Sequence, residues 1–160
     1  MKQLSSIIFV VISALFLISC EGNSPTHDQP STMQKSAKRG VSFNFTNIQD
    51  LPLLSPAISW SYNWANDQNS TSALWFDTNE MDFCPMCWNG SYSAAKIRQY
   101  VQEHPNTKYL LGFNEPNLTD QCNMTPAQAA EQWPQVVVLA RELNLKLISP
   151  AMNYGTLAGY

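Results

Sequence analysis

Residues 110–117 read LLGFNEPN: an apolar run that stops at Gly112, then a carboxylate, Glu115, held between Asn114 and Pro116. A carboxylate at the end of a buried run is suited to moving protons, and aromatic walls around it would desolvate it and raise its pKa into a working range. Retaining cleavage of a glycosidic bond is one such chemistry, and it needs a second carboxylate about 5 Å away. The two histidines lie badly for a rival chemistry. His27 sits in a polar tail and His104 at the end of a helical pattern, so a histidine-built metal site or triad is not expected.

The elements that must position Glu115 are legible from Gly40 onward, where short apolar runs alternate with helical patterns. Gly40–Phe45, Ala57–Trp64, Met81–Trp88, Lys108–Phe113 and Lys146–Pro150 read as strands. Met81–Trp88 does so despite Pro85, which disfavours a central strand. Ser93 caps a helix with Ile97, Tyr100 and Val101 on one face, ending before Pro105. Thr125-Pro126-Ala127-Gln128 is a capping box, and its helix runs to about Leu143 with a kink or break at Pro134. Thr46–Pro56 has room for at most a short helix, and Asn66–Glu80 reads as a long irregular loop.

Strand–helix–strand alternation argues for a parallel α/β arrangement, either an open doubly wound sheet or a closed barrel. No glycine-rich phosphate loop follows the first strand, where GVSFNF runs straight into Thr46. A full (β/α)8 barrel takes about 250 residues. Five strands in about 120 residues have barrel pacing, cut off a little past halfway. In such a barrel the chemistry lies at the C-terminal strand ends. Here those ends carry Asn44; Tyr62, Asn63 and Trp64; Met86, Trp88 and Asn89; Asn114 and Glu115; and Asn153 and Tyr154. Amides and aromatic rings suit a sugar, whose C–H faces stack on rings and whose hydroxyls need hydrogen-bond partners. Asn114 is placed to hydrogen-bond a sugar 2-hydroxyl, a contact that strengthens in the transition state.

The ordered stretches KRGVSFNF, ISWSYNW, FCPMCW, YLLGFNEPNL, MTPAQAAEQWP and LISPAMN, spanning residues 39–154, resemble glycoside hydrolase family 128, the Asl-type glycosyl hydrolase catalytic core. The resemblance implies a (β/α)8 barrel of TIM type that cleaves β-1,3-glucan with retention, here truncated after about five βα units. It places the general acid/base on Glu115, with Asn114 beside it. It also puts Trp60, Tyr62, Asn63, Trp64, Met86 and Trp88 on or near a glucan-binding wall. Trp133, on a helix, reads as core. No cofactor or metal is implied.

Two departures stand out. The third strand carries Cys84-Pro85-Met86-Cys87, and a C-x-x-C invites a redox or zinc reading. Residues three apart on a strand face opposite sides, however, and no second C-x-x-C completes a zinc site. A Cys87–Cys122 bridge would need an oxidising compartment. The larger departure is the nucleophile, which in this family is a glutamate on a later strand. Of the other acids, the helical Glu103, Glu131 and Glu142 lie outside the barrel, and Glu80 and Asp82 open the third strand on the wrong face. Asp67, Asp77 and Asp120 are in loops at the right end with no motif to recommend them. None of these, nor Asp50, is a credible nucleophile, so the chain by itself is expected to be inactive.

The remaining features concern where the protein works. Met1–Lys2 and the apolar run Ile7–Ile18 read as a secretory signal ending in Leu17-Ile18-Ser19-Cys20, a lipobox-like sequence. Acylation of Cys20 would anchor the protein to a bacterial membrane, periplasmic or at the cell surface. Residues 21–39 read as a polar tether and 40–160 as the partial barrel domain. A net charge of −3 leaves no basic footprint for nucleic acid. Two rival readings share these features. One is a non-catalytic glucan-binding lipoprotein, the other a redox or metal lipoprotein built on Cys84 and Cys87.

Overall fold

The computed structural model describes residues 34–154. The signal segment, Cys20 and most of the tether lie outside them. Five parallel strands and four helices alternate: β1 (Ser36–Ser42), α1 (Asp50–Leu54), β2 (Ile58–Tyr62), α2 (Ser70–Thr78), β3 (Asp82–Phe83), α3 (Ala94–Glu103), β4 (Tyr109–Leu111), α4 (Pro126–Glu142) and β5 (Lys146–Ile148). Strands β1, β2 and β3 pair in sequence order, as do β4 and β5. A parallel bridge between Met86 and Leu111 joins the two groups. The strands therefore follow one another across the molecule with no reversal of order, so no topological switch point of the doubly wound kind occurs among the described residues.

β1 begins earlier than the sequence pattern indicates. Ser36–Arg39, assigned to the tether, are already in the strand, and the chain has left it by Phe43. The alternation of GVSFNF was a misleading cue, because β1 is an edge of the described sheet and its register slips between Ser36 and Gly40. Gly40 is needed where it is: a Cβ there would meet the Trp60 ring at 2.0 Å.

The expected strand Met81–Trp88 is shortened to Asp82–Phe83, and the rest is a handover between partners. The Cys84 N–H donates to the Ser61 carbonyl of β2 at 2.9 Å. Leu111 N–H then donates to Pro85 O, and Cys87 N–H to Leu111 O, both at 2.9 Å. Pro85, having no N–H, sits where the ladder changes sides.

Asn66–Glu80 is not an irregular loop. It contains α2, started by the Asn69 side chain accepting from Ser72 N–H at 2.9 Å, with Ala73 and Phe76 buried. The helix has scant amphipathic contrast, so its periodicity was faint in the sequence. α3 and α4 start as expected, on Ser93 and on the Thr125 capping box. α4 runs unbroken through Pro134. That proline and Ala130, whose carbonyl it orphans, are both solvent-exposed.

The helices cover one side of the sheet through two apolar clusters. Phe45, Leu51, Ile58, Phe76, Phe83 and Tyr100 form one, and Cys87, Ile97, Leu110, Phe113, Val136 and Leu139 are central to the other. Burying each of the larger of these side chains stabilises the fold by about 1.5–3 kcal/mol. The opposite, concave side is an apolar hollow of about 390 Å³, lined by Trp60, Tyr62, Cys84, Tyr109, Leu111 and Ile148. Among the described residues no helix is long and apolar enough to cross a membrane.

Candidate active site

Glu115 stands just past the end of β4, where an isolated bridge between Asn114 and Ala151 extends the pairing with β5. Its backbone is fixed on both sides: Asn114 N–H donates to Trp88 O at 2.9 Å, and Glu115 N–H donates to Ala151 O at 2.8 Å. Phe113 and Pro116, either side of the pair, are fully buried. The chain turns at Glu115 with φ of 42°, a left-handed conformation that costs a residue with a Cβ about 1–2 kcal/mol. Leu118 N–H donating to Glu115 O at 3.0 Å closes that turn. Such strain persists only where its surroundings hold it in place, and it is most often found at functional sites.

One amide reaches the carboxylate, and others are paired beside it. Asn114 is only 7% exposed, and its Nδ2 donates to Gln121 Oε1 at 3.0 Å. Asn153 Nδ2 donates to Glu115 Oε1 at 3.4 Å. Asn117 grips the backbone of Asn153 with both ends of its amide: Nδ2 donates to Asn153 O at 2.8 Å, and Oδ1 accepts from Asn153 N–H at 3.1 Å. Beneath these amides, Trp133 of α4 packs edge-on to Phe113 with ring centroids 5.6 Å apart. Gly112 permits this approach, since a Cβ there would meet the Trp133 ring at 2.7 Å.

The other half of the strand-end surface is aromatic. Tyr62 and Trp64 form an edge-on pair at 5.4 Å, and Trp64 is 41% exposed. Trp64 also has a left-handed backbone, with φ of 62°. Asn63 accepts from Ala65 N–H at 3.1 Å, and half-buried Trp88 lends its carbonyl to Asn114. Asn66 fastens two loops here, donating to Met86 O at 2.8 Å and accepting from Ser93 N–H at 3.0 Å.

Of the residues singled out from the sequence, Glu115 and Asn153 are thus joined directly, while Asn114, next to Glu115 in the chain, bonds Gln121 instead. Asn44 is exposed and lines a separate small pocket with Asn63. Met86 is buried, at 2% exposure, and Tyr154 is 91% exposed. Sequence reasoning missed Asn117 and Gln121. Asn117 lies inside the quoted FNEPN stretch, so its position was available, but its partner is 36 residues away. Gln121 carried no signal.

The cysteines do not form a reactive pair. Cys84 faces the hollow and Cys87 the helix-covered cluster, as strand geometry requires. Burial pushes each thiol up to about 12, away from the thiolate that redox chemistry uses. Burial also raises the thiol of Cys122, and all three are free. The Cys87–Cys122 bridge is therefore not formed here. Four of the other acids are engaged elsewhere: Asp67 with Lys96 at 3.5 Å, Asp77 with His104 at 2.9 Å, Asp82 with Lys108 at 2.6 Å and Glu142 with Arg98 at 2.7 Å.

Fold and site together define an α/β protein of consecutive parallel strands whose C-terminal ends set one carboxylate among amides and aromatic rings. The chain belongs to the glycosyl hydrolase catalytic core family, whose profile matches residues 40–159. Its fold is similar to that of a solved endo-β-1,3-glucanase of glycoside hydrolase family 128, subgroup II, from Pseudomonas viridiflava. The two are 41% identical, with a TM-score of 0.72 over 79% of this chain and 50% of that one. The subgroup II enzyme from Sorangium cellulosum is 36% identical, with a TM-score of 0.65 over 74% of this chain and 47% of that one. A subgroup I endo-β-1,3-glucanase from Amycolatopsis mediterranei, solved with laminaritriose, is 27% identical, with a TM-score of 0.53 over 77% and 45%. The chain thus spans about half the length of these structures, and the family read from its motifs is borne out. No curated protein matches it.

Proposed function

We propose that this chain forms five strands and four helices of a (β/α)8 barrel that hydrolyses β-1,3-glucan with retention of configuration, with Glu115 as general acid/base. The observation that carries the reading is the placement of Glu115. It lies at a C-terminal strand end on a strained turn, with the Asn153 amide on its carboxylate and the aromatic pair Tyr62 and Trp64 at the end of β2. The consecutive order of the strands supports the barrel, because an open doubly wound sheet would reverse its order. The similar structures named as β-1,3-glucanases support the substrate.

In this reading a glucan chain lies across the strand ends, its sugar faces against Trp64 and Tyr62. The Asn114 amide, oriented by Gln121, contacts the 2-hydroxyl of the sugar at the scissile bond. Glu115 gives its proton to the departing glycosidic oxygen, then takes one from the water that releases the sugar. The nucleophile that bonds to the sugar between these steps is a carboxylate from a later strand of the complete barrel. In a complete barrel containing this chain, Glu115→Gln should lower laminarin hydrolysis by about 10²–10⁴-fold with the fold unchanged. Undiminished hydrolysis would end the assignment.

The same proposal places the protein at a bacterial membrane through acylation of Cys20. Labelling cells with a clickable palmitate analogue should mark the protein, and Cys20→Ser should lose the mark. A Cys20→Ser variant that kept it would remove the anchor.

A further inference from the structure

The pairing of β4 with β5 ends at the bridge between Asn114 and Ala151, yet both backbone groups of Asn153, two residues beyond it, are hydrogen-bonded. The Asn117 side chain bonds its backbone there. Its amide makes one donated and one accepted hydrogen bond to the same residue's backbone, at 2.8 and 3.1 Å. Two such bonds fix the rotation of the Asn153 backbone as well as its position, and so the point from which its side chain reaches out. That side chain donates to Glu115 Oε1 at 3.4 Å. Asn117 is itself two residues from Glu115, across a turn closed by Leu118 N–H. The contacts form a ring: Glu115 backbone, Asn117 amide, Asn153 backbone, Asn153 amide, Glu115 carboxylate.

We propose that Asn117 is a positioning residue for Glu115, acting through Asn153; the inference rests on the acid/base role proposed above. The ring has a chemical consequence. An amide N–H only donates, so the carboxylate oxygen it holds must accept. A carbonyl oxygen accepts better than a hydroxyl oxygen, so this contact favours the proton of a protonated Glu115 on Oε2 and one defined oxygen toward the glycosidic bond. A carboxyl freed from Asn153 would rotate and present either oxygen. Misplacing a reacting group by about 1 Å can cost up to about 10²-fold in rate.

The test uses the complete barrel and two substrates. Laminarin has a poor leaving group that must be protonated as it departs. A dinitrophenyl β-laminaribioside has a leaving group that departs without a proton. Asn117→Ala and Asn153→Ala should each lower kcat/KM on laminarin about tenfold and leave kcat/KM on the aryl substrate within about twofold. Because the two residues act in series, the double variant should lose no more than either single one. Equal losses on both substrates would mean a merely structural role. Losses that multiply in the double variant would mean separate roles. Either result overturns the proposal. If Asn117→Ala does not fold, Asn117→Asp keeps the accepting oxygen and removes the donor, and it should show the same split between substrates. Glu115→Gln run beside them separates the two readings: if it stays active on laminarin, the acid/base role itself has failed, and the positioning role falls with it.

Discussion

The two halves of the strand-end surface are built in different ways. At the ends of β4 and β5, the Glu115 backbone is fixed by hydrogen bonds, its carboxylate accepts from Asn153, Asn117 holds the Asn153 backbone, and a fully buried Phe113 precedes Asn114 and Glu115. At the ends of β2 and β3, the aromatic side chains stand half-exposed, and Tyr62 and Trp64 meet each other edge-on. The difference matches what each half has to do in the proposed reaction. A proton donor must sit within a fraction of an ångström of one atom. A stacking wall needs only area, and a polysaccharide that slides along it gains from some latitude. Strain is common to both halves, since Glu115 and Trp64 each have positive φ, with no glycine to relieve it.

If the acid half is rigid because it stands on the core, undermining that core should produce the largest effect on stability. Phe113 is fully buried, packs on Trp133, and gives its carbonyl to Ala151 N–H at 3.0 Å. Phe113→Ala should cost about 3–5 kcal/mol in stability, read from denaturant unfolding. The cavity opens directly under Asn114 and Glu115, so activity should fall even at temperatures where the variant remains folded. A variant that lost stability but kept full activity would show that the carboxylate is held by its hydrogen bonds alone.

The sequence made the two halves unequally legible, for physical reasons. β4, α3 and α4 carry strong local signals: an apolar run, a serine cap, a capping box. Each of these is a contact between residues close in the chain. Glu115 and Asn114 could be picked out because their types and their place after β4 carry the chemistry. Asn117 could not be given its role, because what it grips lies 36 residues downstream. α2 leaves little trace in the sequence because its buried face is narrow. The start of β1 was misplaced because an edge strand has little burial to impose a pattern. The handover at Pro85 was hidden for a similar reason: which neighbour a strand residue bonds to is decided by topology rather than by the residue.

The aromatic half makes the opposite prediction, and a smaller one. Trp64 is exposed, and its left-handed backbone costs about 1 kcal/mol that a glycine would not incur. Its edge contact with Tyr62 returns about 0.5–1.5 kcal/mol. The covered part of the ring and the added chain entropy of glycine also count against the change, but relief of the strain offsets part of them. Trp64→Gly should therefore lower the unfolding free energy by clearly less than Phe113→Ala does, at about 3–5 kcal/mol. The loss should appear in binding: about a tenfold rise in KM for laminari-oligosaccharides, equivalent to about 1.4 kcal/mol, with kcat nearly unchanged. The residue would then trade backbone strain for a sugar-binding face. A fall in stability comparable to that of Phe113→Ala would instead make Trp64 part of the core, and the contrast between a locked acid and a loose wall would not survive it.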